Sequence, residues 1–184
     1  MGTLVEERLV RSARDFAAKV HAGEKRKGSS RAPYTTHTDR VAQLVEEAGG
    51  TAEDIAVAHA HDTVETGDIS VAGVAAATNA RVGYRVGVLS DPPELKGLPP
   101  LKRKAQQLER LKHAERGDKL VKIADATANM ESMAHDPPED WGKQERLEYI
   151  RASFELVQGL RGVSPSLEQK FAKAYSEALA ANSF

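Results

Sequence analysis

The chain has 184 residues, 40% of them hydrophobic and 29% charged, with 26 Lys and Arg against 27 Asp and Glu for a net charge of −1. This composition suits a single packed domain over residues 1–184, and it excludes a disordered chain of one sign and a dedicated nucleic-acid coat. With no cysteine there is no disulfide scaffold, no thiol nucleophile and no zinc held by sulfur, so any metal must rest on His, Asp and Glu.

The helical period dominates from the start. Leu4, Val5, Leu9, Val10, Phe16, Ala17 and Val20 form one apolar stripe, and Gly23 stops it. Residues 1–14 carry Glu6, Glu7, Arg8, Arg11 and Arg14 without an apolar block, so no secretory signal is expected. No apolar run approaches the ~20 residues of a bilayer span, and the expectation is a cytoplasmic chain with no membrane partner. A loop rich in Gly, Ser and Pro follows from Gly23 to Thr36. Val41, Leu44, Val45 and Ala48 then mark a helix ended by Gly49-Gly50, and Ile55 to His61 reads as a short, nearly all-apolar, buried helix.

Ser70 caps a weak helix through Val74 and Ala77. Arg81 to Ser90 fits two patterns. Val82, Val86 and Leu89 suit a helix, whereas Val82, Tyr84, Val86 and Val88 alternate as in a strand. Helix is preferred because no partner strand is visible elsewhere. Pro92-Pro93 and Pro99-Pro100 bracket a loop, and helices follow over Leu101–His113, Asp118–Met133 and Glu139–Leu160. Ser164-Pro165 opens the last helix, with Leu167, Phe171, Ala174 and Leu179 on one face. The fold class is all-α.

Charge is unevenly spread. Glu46 to Ser70 holds seven acidic residues and no Lys or Arg, whereas Leu95 to Ile123 holds nine basic and three acidic ones. An acidic stretch suits a cation and a basic one suits phosphates, although solvated helix faces produce the same blocks. Arg103, Lys104, Lys112 and Lys119 are accordingly either a phosphate funnel or a solvated face.

Chemistry concentrates at His59-Ala60-His61-Asp62-Thr63-Val64-Glu65. Glu65 follows Asp62 by three positions and His61 by four, which puts all three on one helical face. His59, two positions before His61, points to the other face and reads as a packed histidine, as does His21. Asp125 lies in the apolar run Leu120–Ala128. A buried carboxylate without a partner is costly, so a cation or a donor is expected to meet it. Trp141 reads as an anchor for the last helices, and Met130 and Met133 as core.

The order His37, His61-Asp62, Asp125 resembles the HD-domain metal phosphohydrolases. The finer matches are Ala17-Ala18-Lys19-Val20-His21, Arg26-Lys27, Pro33-Tyr34, His61-Asp62-Thr63-Val64-Glu65, Leu98-Pro99 with Arg103-Lys104, Lys119 to Asp125, Asn129, Trp141 and Gly159-Leu160-Arg161-Gly162. These resemble the RelA/SpoT-type alarmone hydrolases, above all the small stand-alone members and the metazoan SpoT homologue, over roughly residues 13–162.

The resemblance implies an HD-type helical bundle that hydrolyses the 3′-diphosphate of ppGpp or pppGpp to GDP or GTP and pyrophosphate. It implies one Mn²⁺ held by His37, His61, Asp62 and Asp125, which would lower the pKa of a bound water and polarise the phosphoryl group. Glu65 is implied to orient or deprotonate that water. Arg26 and Lys27 match a basic pair on the nucleotide, Asn129 a residue near the ribose, and Tyr149 a tyrosine on the substrate side.

Four departures stand out. Thr66 replaces a second acid, for which Asp68 could substitute. Ala126 replaces a basic residue. Pro100 and Glu145 replace a lysine and an arginine, leaving the adjacent Lys102 and Arg146 as the candidates for substrate contact. Two other readings follow from these differences. One is a phosphohydrolase of the same fold acting on an adenine alarmone or NADPH; the other is a non-catalytic alarmone sensor.

Overall fold

A computed structural model of the protein describes residues 3–66 and 69–183, and every regular element among them is helical. Helix α1 (Leu4–Val20) opens with a capping box, in which Thr3 accepts from the Glu6 backbone and the Glu6 side chain accepts from the Thr3 backbone. Its stripe does not pack from the first turn. Leu4 and Val5 are 80% and 77% exposed, and burial begins only where Ala13 and Ala17 meet α3 (Ala52–Ala60).

The loop after α1 is tied by an isolated antiparallel bridge between Lys25 and Pro33. Helix α2 (Thr35–Glu47) follows, then α3, capped by a Thr51–Asp54 box. Ala56 to Ala60 are all buried, because α3 is wedged between α1, α2 and α8 (Arg116–His135). That position explains its lack of a polar face.

The short α4 (Thr63–Thr66) carries Glu65, and α5 (Val71–Ala77) pairs with α6 (Ala80–Leu89). The segment with two patterns is therefore a helix. Asn79 caps it by accepting from Val82 N at 2.8 Å. Gly83 allows α5 to come close, since a Cβ there would stand 2.7 Å from Ala75 Cβ.

A 3₁₀ turn at Pro93–Leu95 leads to α7 (Pro100–Leu111), which packs on α9 (Lys143–Gly159). Helix α9 begins later than the expected Glu139, because Pro137-Pro138 and a turn to Trp141 precede it. Helix α10 (Pro165–Ser183) lies along α8. Leu120 to Ala128 of α8 are buried without interruption, so α8 is the axis on which the other helices pack.

Candidate active site

Three helices deliver the His-Asp set to one corner. His37 sits in the first turn of α2, His61 caps the C-terminus of α3 with Asp62 after it, and Asp125 stands at the middle of α8. Ligand atoms of His37, His61 and Asp62 all lie within 4.8 Å of one another. Asp125 Oδ1 approaches His37 Nε2 at 3.4 Å and His61 Nε2 at 3.8 Å. Asp62 Oδ2 faces the same two nitrogens at 3.6 and 3.2 Å.

The His61 ring is fixed by its other nitrogen. Nδ1–H donates to the Ala58 carbonyl at 2.7 Å, which aims Nε2 at the corner, where it is buried and without a hydrogen-bond partner. Burial opposes charge on His61, yet Asp62 and Asp125 hold its pKa well above the usual imidazole range. On His37 burial prevails and lowers the pKa. Burial would also raise Asp62, but His61 beside it holds the carboxyl below the usual range. Asp125 is likewise held low against burial, by Lys122 first. The corner favours positive charge, and two imidazoles with two carboxylates form a donor set suited to a divalent cation.

Tyr34 and Lys122, which were given no role from the sequence, support this corner, and so does Asn129, which was expected near the ribose. Tyr34 donates its hydroxyl to Asp62 Oδ2 at 2.6 Å. Lys122, one turn before Asp125, places Nζ 3.1 Å from Asp125 Oδ2, and Asn129 Nδ2 donates to Asp125 Oδ1 at 2.6 Å. The apolar run on α8 thus contains the partners its carboxylate requires.

Beside the corner lies a cavity of about 340 Å³, lined by Glu65, Arg26, Lys27, Asn129 and Tyr149 among others. Glu65 is half-buried, and its Oε1 accepts from the Asp91 backbone N–H at 2.6 Å. Burial raises the Glu65 pKa, with Lys122 pulling the other way. Asp91 is itself gripped from α7, by Arg110 at 2.7 Å and Gln107 at 2.6 Å. Arg26 reaches across to Asn129 Oδ1 at 3.2 Å and lies over the Tyr34 ring at 5.5 Å. Trp141 meets Tyr149 edge-on at 5.3 Å and also lines the cavity, besides anchoring α9.

Other candidates fall elsewhere. Asp68 lies outside the described residues. Thr66 does line the cavity, but its hydroxyl donates to the Asp62 carbonyl at 2.8 Å, which ties it to its own turn. Lys102 is exposed and does not line the cavity, because two residues along α7 is a rotation of about 200° from Lys104, which does. Arg146 is half-buried and also off the cavity wall. Of the four residues read as a phosphate funnel or a solvated face, Arg103 and Lys104 face the cavity, whereas Lys112 pairs with Glu109 and Lys119 donates to the Lys112 carbonyl. His21 is buried and stacks on Tyr34 at 4.5 Å. His59 faces a larger groove of about 860 Å³ on the far side of α3, with Asp39 Oδ1 3.5 Å from its Nδ1. Size therefore does not mark the site; the convergence of donors does.

The HD domain family matches residues 13–160. The chain is 37% identical over 169 residues to guanosine-3′,5′-bis(diphosphate) 3′-pyrophosphohydrolase MESH1 of Mus musculus, covering 90% of this chain and 92% of that protein. It is 38% identical over 161 residues to the Homo sapiens protein of the same name, covering 85% and 87%. A solved structure of a metazoan ortholog of SpoT, described as hydrolysing ppGpp with a role in starvation responses, superposes with a TM-score of 0.84 at 25% identity, covering 96% of this chain and 97% of that one.

Proposed function

The chain belongs to the HD domain family, and from that membership we propose that it is a metal-dependent hydrolase of the 3′-diphosphate of ppGpp and pppGpp, releasing GDP or GTP and pyrophosphate. The observation that carries this reading is the convergence of His37, His61, Asp62 and Asp125 beside a cation-lined cavity that also contains Glu65. The relatives named above for this activity support it.

His37, His61, Asp62 and Asp125 would hold one divalent cation, and Mn²⁺, which accepts both imidazole and carboxylate donors, suits the set. When bound, the cation supplies Lewis-acid polarisation of the phosphoryl oxygens and a more acidic water. The chain's own groups do the rest. Glu65 Oε1 is fixed by the Asp91 N–H, so Oε2 is the oxygen left to take a proton from the attacking water. Its raised pKa brings that carboxylate nearer to the pH at which it must gain and lose a proton. Water attacks the phosphorus next to the ribose 3′-oxygen, the P–O3′ bond breaks, and the 3′-oxygen gains a proton as pyrophosphate leaves. Lys122 holds Asp125 and offsets the charge of Glu65. Arg26, steadied by Asn129 and Tyr34, offers a flat guanidinium to a base or phosphate, and Lys27 lies at the rim.

No helix of the described chain is long and apolar enough to cross a membrane; we read the protein as a cytoplasmic enzyme acting on a free nucleotide. Purified protein is incubated with Mn²⁺ and ppGpp, and GDP and pyrophosphate are measured. Release no greater than that of an Asp62→Ala control would end the hydrolase reading. Tight ppGpp binding without turnover would instead favour a sensor. Because Lys102 and Arg146 do not reach the cavity, phosphate placement rests on other cations, and kcat/KM for ppGpp, its adenine counterpart and NADPH decides among substrates.

A further inference from the structure

Lys104 is a buried charged group at the cavity that the steps above leave unused. It projects from α7 into the cavity wall and is only 5% exposed. Its Nζ lies 4.8 Å from the centre of the Tyr149 ring, a favourable but partial substitute for a counter-ion. Among the described residues, no carboxylate or other acceptor comes within hydrogen-bonding reach of it. The nearby acids are committed elsewhere: Asp125 to Lys122, His37 and His61, and Asp91 to Arg110 and Gln107. A buried ammonium without an anion is destabilising, and burial, reinforced by Lys122 and opposed by Asp125, drops its pKa to about 7.

Two further donors lie beside it. Tyr149 is buried, and burial pushes the pKa of its hydroxyl up to about 12, so it keeps its proton to donate. Arg103 lines the same wall; its Nε makes no hydrogen bond and stands 3.8 Å from Asp91 Oδ2, a carboxylate already held more closely by Arg110 and Gln107. Three donors thus line one wall, and the carboxylate that faces Arg103, Asp91, is already engaged by Arg110 and Gln107.

We propose that Lys104, with Tyr149 and Arg103 beside it, forms an anion subsite for a phosphate group of the nucleotide other than the one cleaved at the His-Asp corner, which makes Lys104 a specificity-determining residue. The subsite lies on α7 and α9, away from the α2, α3 and α8 residues of the corner. It rests on the phosphohydrolase reading for the identity of the substrate, though not for the presence of an anion site.

The test separates the two claims. Binding of inorganic pyrophosphate to the whole chain is measured by calorimetry with EDTA present, so that no metal bridges the anion. Lys104→Met is expected to weaken it by at least about tenfold, while Lys104→Arg and a distant control, Lys173→Met on α10, retain it. With ppGpp and Mn²⁺, Lys104→Met raises KM by a similar factor and leaves kcat within about threefold. With a nucleoside 3′-diphosphate bearing a free 5′-hydroxyl, the Lys104→Met effect on KM disappears.

Loss of an unpaired buried charge should also raise the Tm of the ligand-free chain, a shift opposite to that of a structural lysine. Pyrophosphate affinity and ppGpp KM both unchanged in Lys104→Met, or a lowered Tm, would overturn the subsite. If pyrophosphate binding depends on Lys104 while the wild type fails to hydrolyse ppGpp, the subsite stands and the substrate reading falls.

Discussion

The Tyr34 hydroxyl donates to Asp62 Oδ2 at 2.6 Å, and that same oxygen faces the Nε2 atoms of both His37 and His61. Tyr34 therefore fixes the direction of an oxygen proposed to ligate the metal, while using one of its lone pairs. The contact raises the tyrosine pKa well above its usual value, with burial as the first cause and Asp62 as the second. Outer partners of this kind typically contribute a factor of about 10–100 in metal affinity. Tyr34→Phe is expected to weaken Mn²⁺ binding by about tenfold, with the aromatic stack on His21 preserved. Mn²⁺ titration followed by electron paramagnetic resonance checks this, and equal affinity in variant and wild type would remove Tyr34 from the site.

The hydrogen bond from the Asp91 backbone to Glu65 gives a second prediction. Glu65→Gln removes the proposed proton acceptor and should lower kcat by about 10²–10⁴ while Mn²⁺ affinity is retained. Asp91→Ala leaves the backbone N–H in place but cuts its side chain free of Arg110 and Gln107. The loop then holds Glu65 less firmly, and a smaller fall in kcat, about tenfold, is expected with little change in KM. The raised Glu65 pKa sets the acidic limb of the pH–rate profile, since activity falls as the carboxylate protonates. That limb should disappear in Glu65→Gln. A profile in Glu65→Gln identical in shape to that of the wild type would show that the acidic limb belongs to another group.

The helical periods that define α1, α2, α3 and α10 are legible in the sequence because each helix buries one face or all of them. Arg81–Ser90 was ambiguous because what decides it is a contact: α5 packs where Gly83 has no side chain. On α8, Asp125 stood out as a carboxylate in an apolar run, but its answering group, Lys122, lay in the same run and was equally readable one turn earlier. Rotation alone puts Lys102 off the cavity wall. Lys104, Gln107 and Leu111 are the buried residues of α7, at intervals of three and four. Continuing the Leu108–Leu111 face back one turn would have picked out Lys104. The Asp91–Glu65 bond had no sequence signal, since a backbone N–H belongs to every residue except proline.

Lys104 gives a prediction in which stability depends on pH. Its folded pKa, about 7, lies below the usual lysine value of 10.5. The unfolded chain thus binds more protons between these values, and stability rises with pH across that window. The penalty is absent above about pH 10.5, grows as pH falls, and is complete below about pH 7, reaching at most about 5 kcal/mol. Lys104→Met should therefore gain most over wild type at pH 6 and progressively less towards pH 10. Urea unfolding at four pH values measures this, and a stability gain independent of pH would show that the ammonium is not the source of the penalty.

Arg85 makes the opposite case, a buried cation that is fully answered. Its Nε donates to Asp118 at 2.6 Å, one terminal nitrogen to Asp54 at 2.7 Å and the other to Glu53 at 2.9 Å. These bonds hold its pKa above the usual value even though burial opposes them. The network joins α6 to the first turns of α3 and α8, the helices that carry the His61 cap and Asp125. Gly117 leaves room for it, since a Cβ there would stand 2.0 Å from Asp54 Oδ1 and 2.3 Å from an Arg85 terminal nitrogen. Removing one partner of a buried charge network typically costs about 3–5 kcal/mol, because the remaining charges stay buried and unpaired. Arg85→Ala is expected to lose that much, and Gly117→Ala to lose a large part of it by forcing the same groups apart. Both effects act through folding, so kcat per folded molecule should be nearly unchanged at temperatures where the variants remain native. Denaturant unfolding paired with active-site titration separates the two quantities. A loss of kcat without a loss of stability would place Arg85 in the chemistry instead of the scaffold.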